Sequence, residues 1–191
     1  MGSRVPTAVG LVPRPREGST PGTDRICFCF LGSPVLDMAA DSSWLEELPQ
    51  IISGATPGMQ KLQRIAALIR ESGEHRWVGL YEIDERAGEV INLVWNGPDA
   101  PEYPRFPIGK GLTSAAIQER KVINVGDVVS DPRYLTAFGS TRSEIIVPIL
   151  DVGRAKVVGT IDVESELANA FDQETEKVLV TCAEAIASLW R

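Results

Sequence analysis

From Ser42 onward the apolar residues recur with the two periods that regular structure imposes, about 3.6 for a helix and 2 for a strand. "SSWLEELPQIISG" opens on serines suited to an N-cap, with Glu46 in the first turn, and predicts a helix. "PGMQKLQRIAALIRESG" sets Met59, Leu62, Ile65, Ala66 and Ile69 on one helical face, and Gly73 ends it. Then the period changes. "RWVGLYEID" and "EVINLVWN" alternate about a turn through Glu85 to Gly88, which predicts a hairpin. Its first strand places Trp77, Gly79, Tyr81 and Ile83 on one face and Val78, Leu80 and Glu82 on the other.

"PDAPEYPRFPIGKG" is too rich in proline for more than a loop with an edge strand. "LTSAAIQER" reads as a short helix after Gly111, "KVINV" as a short strand, and "GDVVSDPRYLTAFGSTR" as a long loop holding one helical turn. "SEIIVPIL" and "KVVGTIDVES" are strands joined by a tight turn at Asp151 to Arg154. A closing helix from Asp172 to about Trp190 carries Glu174 and Glu176 in its first turns, where the helix dipole favours them. Its apolar face is Val178, Leu179, Cys182, Ile186 and Leu189. Strands joined by tight turns make an antiparallel sheet, so the fold class is α+β.

Residues 1–37 lack this order. They hold five of the 13 prolines and no periodicity, so the expected organisation is a disordered or mispredicted N-terminal extension and a domain over 38–191. The apolar run Ile26 to Leu31 is too short for a bilayer, so no membrane span is expected. With 26 acidic against 19 basic residues and no basic cluster, the chain lacks the electrostatic footprint of a nucleic-acid binder. Three cysteines, Cys27, Cys29 and Cys182, make no disulfide framework, which points to a reducing, cytoplasmic setting. Cys27 and Cys29 have no second half-site, so no metal site is expected, and Cys182 suits a helix core.

The strand Lys156 to Ser165 carries the chemistry. Val157, Gly159, Ile161 and Val163 form an apolar face, while Val158, Thr160, Asp162 and Glu164 form one that turns acidic. Asp162 and Glu164, joined by Glu144 from the neighbouring strand, would suit an ammonium or a donor-rich ligand in a partly covered pocket. Three acids so close repel one another and need a partner or raised pKa values, and Arg142 is the candidate partner. Gly109-x-Gly111 is no dinucleotide fingerprint, because Ser114 stands where the third glycine belongs. The helix start after it could still receive an anionic group.

Taken together, "WVGLYEID", "FPIGKGLTSAAIQERKVINVGDVVSDPRY", "SEIIVPIL", "GTIDVES" and "FDQETEKVL" resemble a GAF domain, a relative of the PAS fold, over about residues 42–190. The resemblance implies an antiparallel sheet of about six strands. Terminal helices would cover one face, and loops between residues 97 and 142 would roof a ligand pocket on the other. "WVGLY", "RFPIGKG", "RSEIIVPI" and "GTIDVES" are similar to segments of the free methionine-(R)-sulfoxide reductases. That likeness implies ligand-binding roles for Glu144, Asp162 and Glu164, with Trp77 and Tyr81 lining the pocket.

The enzyme works with cysteine thiols, and its cysteine positions hold Tyr103, Thr113 and, within a residue or so, Ala137 here. A hydroxyl cannot form the sulfenic acid that a thiol forms. The expectation is therefore a non-catalytic module for a small, polar, amino-acid-like ligand, with no catalytic residue. A reductase with rearranged cysteines and a ligand-free dimerisation module are the alternatives, the latter a homodimer through the terminal helices. No cofactor is expected: His75 precedes the first strand and no pocket cysteine is available to attach a haem or bilin.

Overall fold

In the structure, a computed structural model, residues 42–73, 75–136 and 138–190 are described. The proposed 1–37 extension, with Cys27 and Cys29, lies outside the described residues, as does Ala137.

Two helices come first, α1 (Leu48–Ser53) and α2 (Gly58–Glu71). The predicted first helix starts instead as a 3-10 turn, Ser43–Glu47, and Ser42 makes no capping bond from its side chain. Pro49 explains the break: it has no N–H to donate, so the α-helix restarts with proline in its first turn. On α2, Leu62, Ile65, Ala66 and Ile69 are buried as the spacing predicts. Met59 is not; it sits in the first turn, outside the packed cluster, and is 51% exposed.

The strands are β1 (Trp77–Asp84), β2 (Glu89–Asn96), β3 (Arg105–Pro107), β4 (Ile123–Val125), β5 (Ser143–Leu150) and β6 (Val157–Ser165). Between β3 and β4 lies α3 (Gly111–Glu119), and α4 (Gln173–Ile186) closes the fold, with Asp172 accepting from the Thr175 N–H at 2.8 Å as its N-cap. The sheet runs β3-β2-β1-β6-β5-β4, antiparallel throughout. Two hairpins, each with a short edge strand, are thus joined by the pairing of β1 with β6.

Helices α2 and α4 pack on one face of the sheet. Leu62, Ile65 and Ile69 of α2 and Leu179, Cys182 and Ile186 of α4 share one core with Val78, Leu80, Ile145, Val147, Ile161 and Val163 there. The apolar stripes of both helices are therefore buried against the sheet. Two irregularities adjust the frame. A bulge opposite Leu150 shifts the alternation at the start of β6, so Val158 packs on the helix side instead of the pocket side. Gly159 leaves room for the chain end: its missing Cβ would lie 2.3 Å from Trp190 Nε1, which donates to the Tyr81 carbonyl at 3.1 Å. Among the described residues no helix is long and apolar enough to cross a membrane.

Candidate functional site

The other face of the sheet is organised in rows set by strand register. Trp77, Glu164 and Glu144 are directly opposed across β1, β6 and β5; Gly79, Asp162 and Ile146 form the next row; Tyr81, Thr160 and Pro148 the third. Alternation along each strand puts the three acids and both aromatics on one face, as the sequence predicts. Gly79 makes the aromatic wall possible. A Cβ there would lie 2.3 Å from the Trp77 ring and 2.7 Å from the Tyr81 ring, whose centroids stand 6.4 Å apart.

Over this face the loops and α3 close a roof. Pro101, Tyr103, Phe106, Leu112, Thr113, Leu135 and Phe138 join Trp77, Tyr81, Glu144, Asp162 and Glu164 around a cavity of about 30 Å³. That is room for a water or two. Phe138 stands 5.6 Å from Trp77, and Phe106 meets Tyr81 edge-on at 5.9 Å. The Trp77 indole N–H donates to the Asp99 carbonyl at 3.1 Å, which ties the strand to the loop above it. Arg76 holds the rim: its guanidinium lies 4.6 Å from the Phe138 ring centroid and pairs with Asp99 at 3.5 Å and Glu166 at 2.9 Å.

All three acids are buried, Glu144 at 6%, Asp162 at 7% and Glu164 at 2% exposure. Glu164 accepts a hydrogen bond from the Thr141 hydroxyl. Glu144 Oε2 and Asp162 Oδ1 are buried with no hydrogen-bond partner, as is Thr160 Oγ1 on the same face. Burial, then repulsion from Asp162 and Glu164, pushes the Glu144 carboxyl well above the usual carboxylate range. Burial and Glu164 do the same to Asp162. Glu164 is pushed up to about 7 by burial, against the Thr141 hydrogen bond and the Arg76 charge. Tyr81 rises well above its ordinary value through burial and the three acids. Each shift marks a site where negative charge lacks compensation.

Arg142 is not the partner of these acids. It precedes β5, its side chain is half exposed, and it pairs with Asp127 at 3.7 Å. Its main chain is bound on both sides, N–H to the Ser165 carbonyl and C=O from the Val128 N–H. Thr141 and Arg76 fill the role instead. Neither was singled out in the sequence, nor were Gly79, Thr160, Phe106, Leu135 and Phe138. The Gly between two aromatics in "WVGLY" was the available signal.

Tyr103 and Thr113 do line the cavity, while Cys182 lies in the helix-side core, fully buried, its thiol pushed up to about 12 by burial. Among the described residues no group of three or more His, Cys, Asp or Glu is arranged to hold a metal ion. A wider groove of about 590 Å³ lies beside α4, but none of its described lining residues carries a buried, unpartnered polar atom.

A family profile described as "GAF domain" matches residues 60–191. The chain is 31% identical over 135 residues to the GAF domain-containing protein A of Dictyostelium discoideum, covering 69% of this chain and 82% of that protein. Among solved structures it is similar to free methionine-R-sulfoxide reductase from Neisseria meningitidis in complex with its substrate, at 30% identity and TM-score 0.68 over 77% of this chain and 87% of that one. It is also similar to the type II enzyme from Thermoplasma acidophilum, at 31% identity and TM-score 0.65 over 69% of this chain and 91% of the other. The six-stranded antiparallel sheet with its helix layer is the fold of these relatives, and the chain belongs to the GAF domain family.

Proposed function

We propose that this chain is a non-catalytic GAF-type sensor domain that binds a small polar ligand through an ammonium group, in a pocket resembling that for free methionine sulfoxide. The observation that carries the reading is the pair of buried, unpartnered carboxyl oxygens, Glu144 Oε2 and Asp162 Oδ1. Buried acceptors without donors are costly, and a ligand that supplies donors relieves that cost. Trp77, Tyr81, Phe106 and Phe138 add faces suited to a cation or to the apolar stem of an amino acid. Relatives named as free methionine-R-sulfoxide reductases, one of them solved with its substrate, support a ligand of this size and polarity.

The chemistry of those relatives does not carry over with the pocket. Tyr103 and Thr113 stand where the resemblance places thiols, and Cys182 is separated from the cavity by the sheet. The cavity of about 30 Å³ is also far below the roughly 300 Å³ or more of typical ligand sites, so binding requires the roof of Tyr103, Leu135 and Phe138 to lift.

Thermal shift of the full chain with both epimers of free methionine sulfoxide, methionine and N-acetylmethionine sulfoxide tests the reading. A ligand at a hundred times its Kd adds about 2.7 kcal/mol. Stabilisation is expected from one epimer, lost on N-acetylation and lost in Glu144→Gln, with no methionine formed in the presence of thiol reductant. Methionine production abolished by Cys→Ser substitution would replace the sensor with a reductase. Stabilisation that survives Glu144→Gln would move the ligand out of this cavity.

A further inference from the structure

Glu144 and Glu164 face each other directly across β5 and β6, and Asp162 lies two positions from Glu164 on the same face. Opposed side chains of this kind have Cβ atoms about 5 Å apart. Among the described residues, the cavity they share has no Lys, Arg or His in its lining. What faces the triad can be named from every side. Tyr81 comes from β1, Asp131 from the loop before β5 adds negative charge towards Glu144, and Thr141 donates to Glu164. The one cation among the described residues acting on the triad is Arg76, whose guanidinium pairs with Asp99 and Glu166 through Nη2 and Nε and leaves Nη1 buried without a hydrogen-bond partner. Three carboxylates, dry and close, against one shared and outlying positive charge do not all ionise together.

We propose that the ligand-free pocket holds protons on the Glu144–Asp162–Glu164 triad, and that ligand binding is an exchange in which an ammonium group enters as at least one of those protons leaves to solvent. The exchange rests on the ammonium reading above. The balance is simple: protonated triad plus R–NH3⁺ gives the ionised triad paired with R–NH3⁺, plus H⁺ released to buffer. No bond to carbon or sulfur changes. The ligand class follows, because a compound without a positive charge has nothing to displace the proton with. So does a regulatory property: proton and ligand compete, and the domain reports their ratio. Burial holds Glu164 at about 7, which sets the exchange near neutral pH.

Two measurements on the full chain decide this. Infrared difference spectra of ligand-free protein near neutral pH, wild type against Glu144→Gln and Glu164→Gln, should show a protonated carboxylic acid band that each substitution diminishes. Its absence overturns the proposal whether or not a probe binds. Calorimetry with free methionine sulfoxide in phosphate and in Tris should then give buffer-dependent enthalpies corresponding to one proton or more released. For one proton, affinity should rise by up to about tenfold per pH unit on the acid side of the transition. Binding with equal enthalpies in both buffers and flat affinity across the neutral range would overturn the exchange and leave the binding function standing. No binding by either epimer would instead sink the functional reading, and the exchange with it.

Discussion

Along β6 the side chains run Ile161, Asp162, Val163, Glu164, and consecutive residues enter two different environments. Ile161 and Val163 go under α2 and α4 into a core that is mainly aliphatic, with Trp44, Phe171 and the buried thiol of Cys182. Asp162 and Glu164 go the other way, into a cavity walled by aromatic rings and roofed by loops. Both faces are buried. They differ in the polar groups they bury: the helix side takes in mainly apolar surface and one unpartnered indole N–H, Trp44 Nε1, whereas the loop side takes in three carboxyls and leaves two of their oxygens without donors. Stability alone would not select the second arrangement, and that mismatch is what the proposed ligand site rests on.

The strongest way to break this contrast is to mutate neighbours on the one strand. Ile161→Ala should destabilise by roughly 2–5 kcal/mol, as cavity-forming core changes do. Asp162→Asn beside it should instead stabilise the ligand-free protein near pH 8, by roughly 1–3 kcal/mol, because it removes a group that folding must either bury charged or hold protonated well above its ordinary range. Urea unfolding of both variants checks the pair, and equal losses would mean that the cavity is ordinary core.

Next in size is the dependence on pH. Glu164 has a folded pKa of about 7 against 4.5, so the folded state keeps its proton longer than the unfolded one. Its contribution is full below the unfolded value and is lost as pH rises through about 7, at most roughly 3 kcal/mol at 1.36 kcal/mol per unit. His75 acts in the opposite sense. Burial lowers it from 6.5 to about 4, so its share of stability rises with pH over that interval. The two offset each other between about pH 4.5 and 6.5, so the net decline should show between about pH 6.5 and 7.5 and be flattened in Glu164→Gln. A midpoint that climbs through that window would contradict the uncompensated pocket.

Gly79→Ala comes third. Its Cβ overlaps the Trp77 and Tyr81 rings, so it should lose roughly 1–3 kcal/mol and abolish ligand stabilisation. Retained ligand response would show that the two rings need not close on each other. Smallest of all is the effect on Cys182: iodoacetamide near pH 8 should leave it unmodified in the folded protein and label it only after denaturation, since the thiol is buried and pushed up to about 12. Labelling of Cys182 in the folded form would open the helix side to chemistry.

Period-2 alternation in "GTIDVES" and "WVGLYEID" was enough to put Asp162, Glu164, Trp77 and Tyr81 on faces, because that property belongs to a strand by itself. Alternation failed at Val158, where a bulge supplies an extra residue, and at Arg142, which stands just before its strand begins. Thr141, Arg76 and Phe138 went unnoticed for a related reason: their roles are contacts with Glu164 and Trp77, far away along the chain.

What the sequence by itself determined is local: the helical and strand periods, the two hairpins and the acidic side of β6. What only the tertiary structure decided is the joining of β1 to β6. Hairpins follow from neighbouring residues, but that pairing brings Trp77 opposite Glu164 across nearly half of the chain, and no local pattern encodes it. Once it forms, the acids share one small buried space with the aromatic wall, and burial raises the pKa values of all three carboxyls.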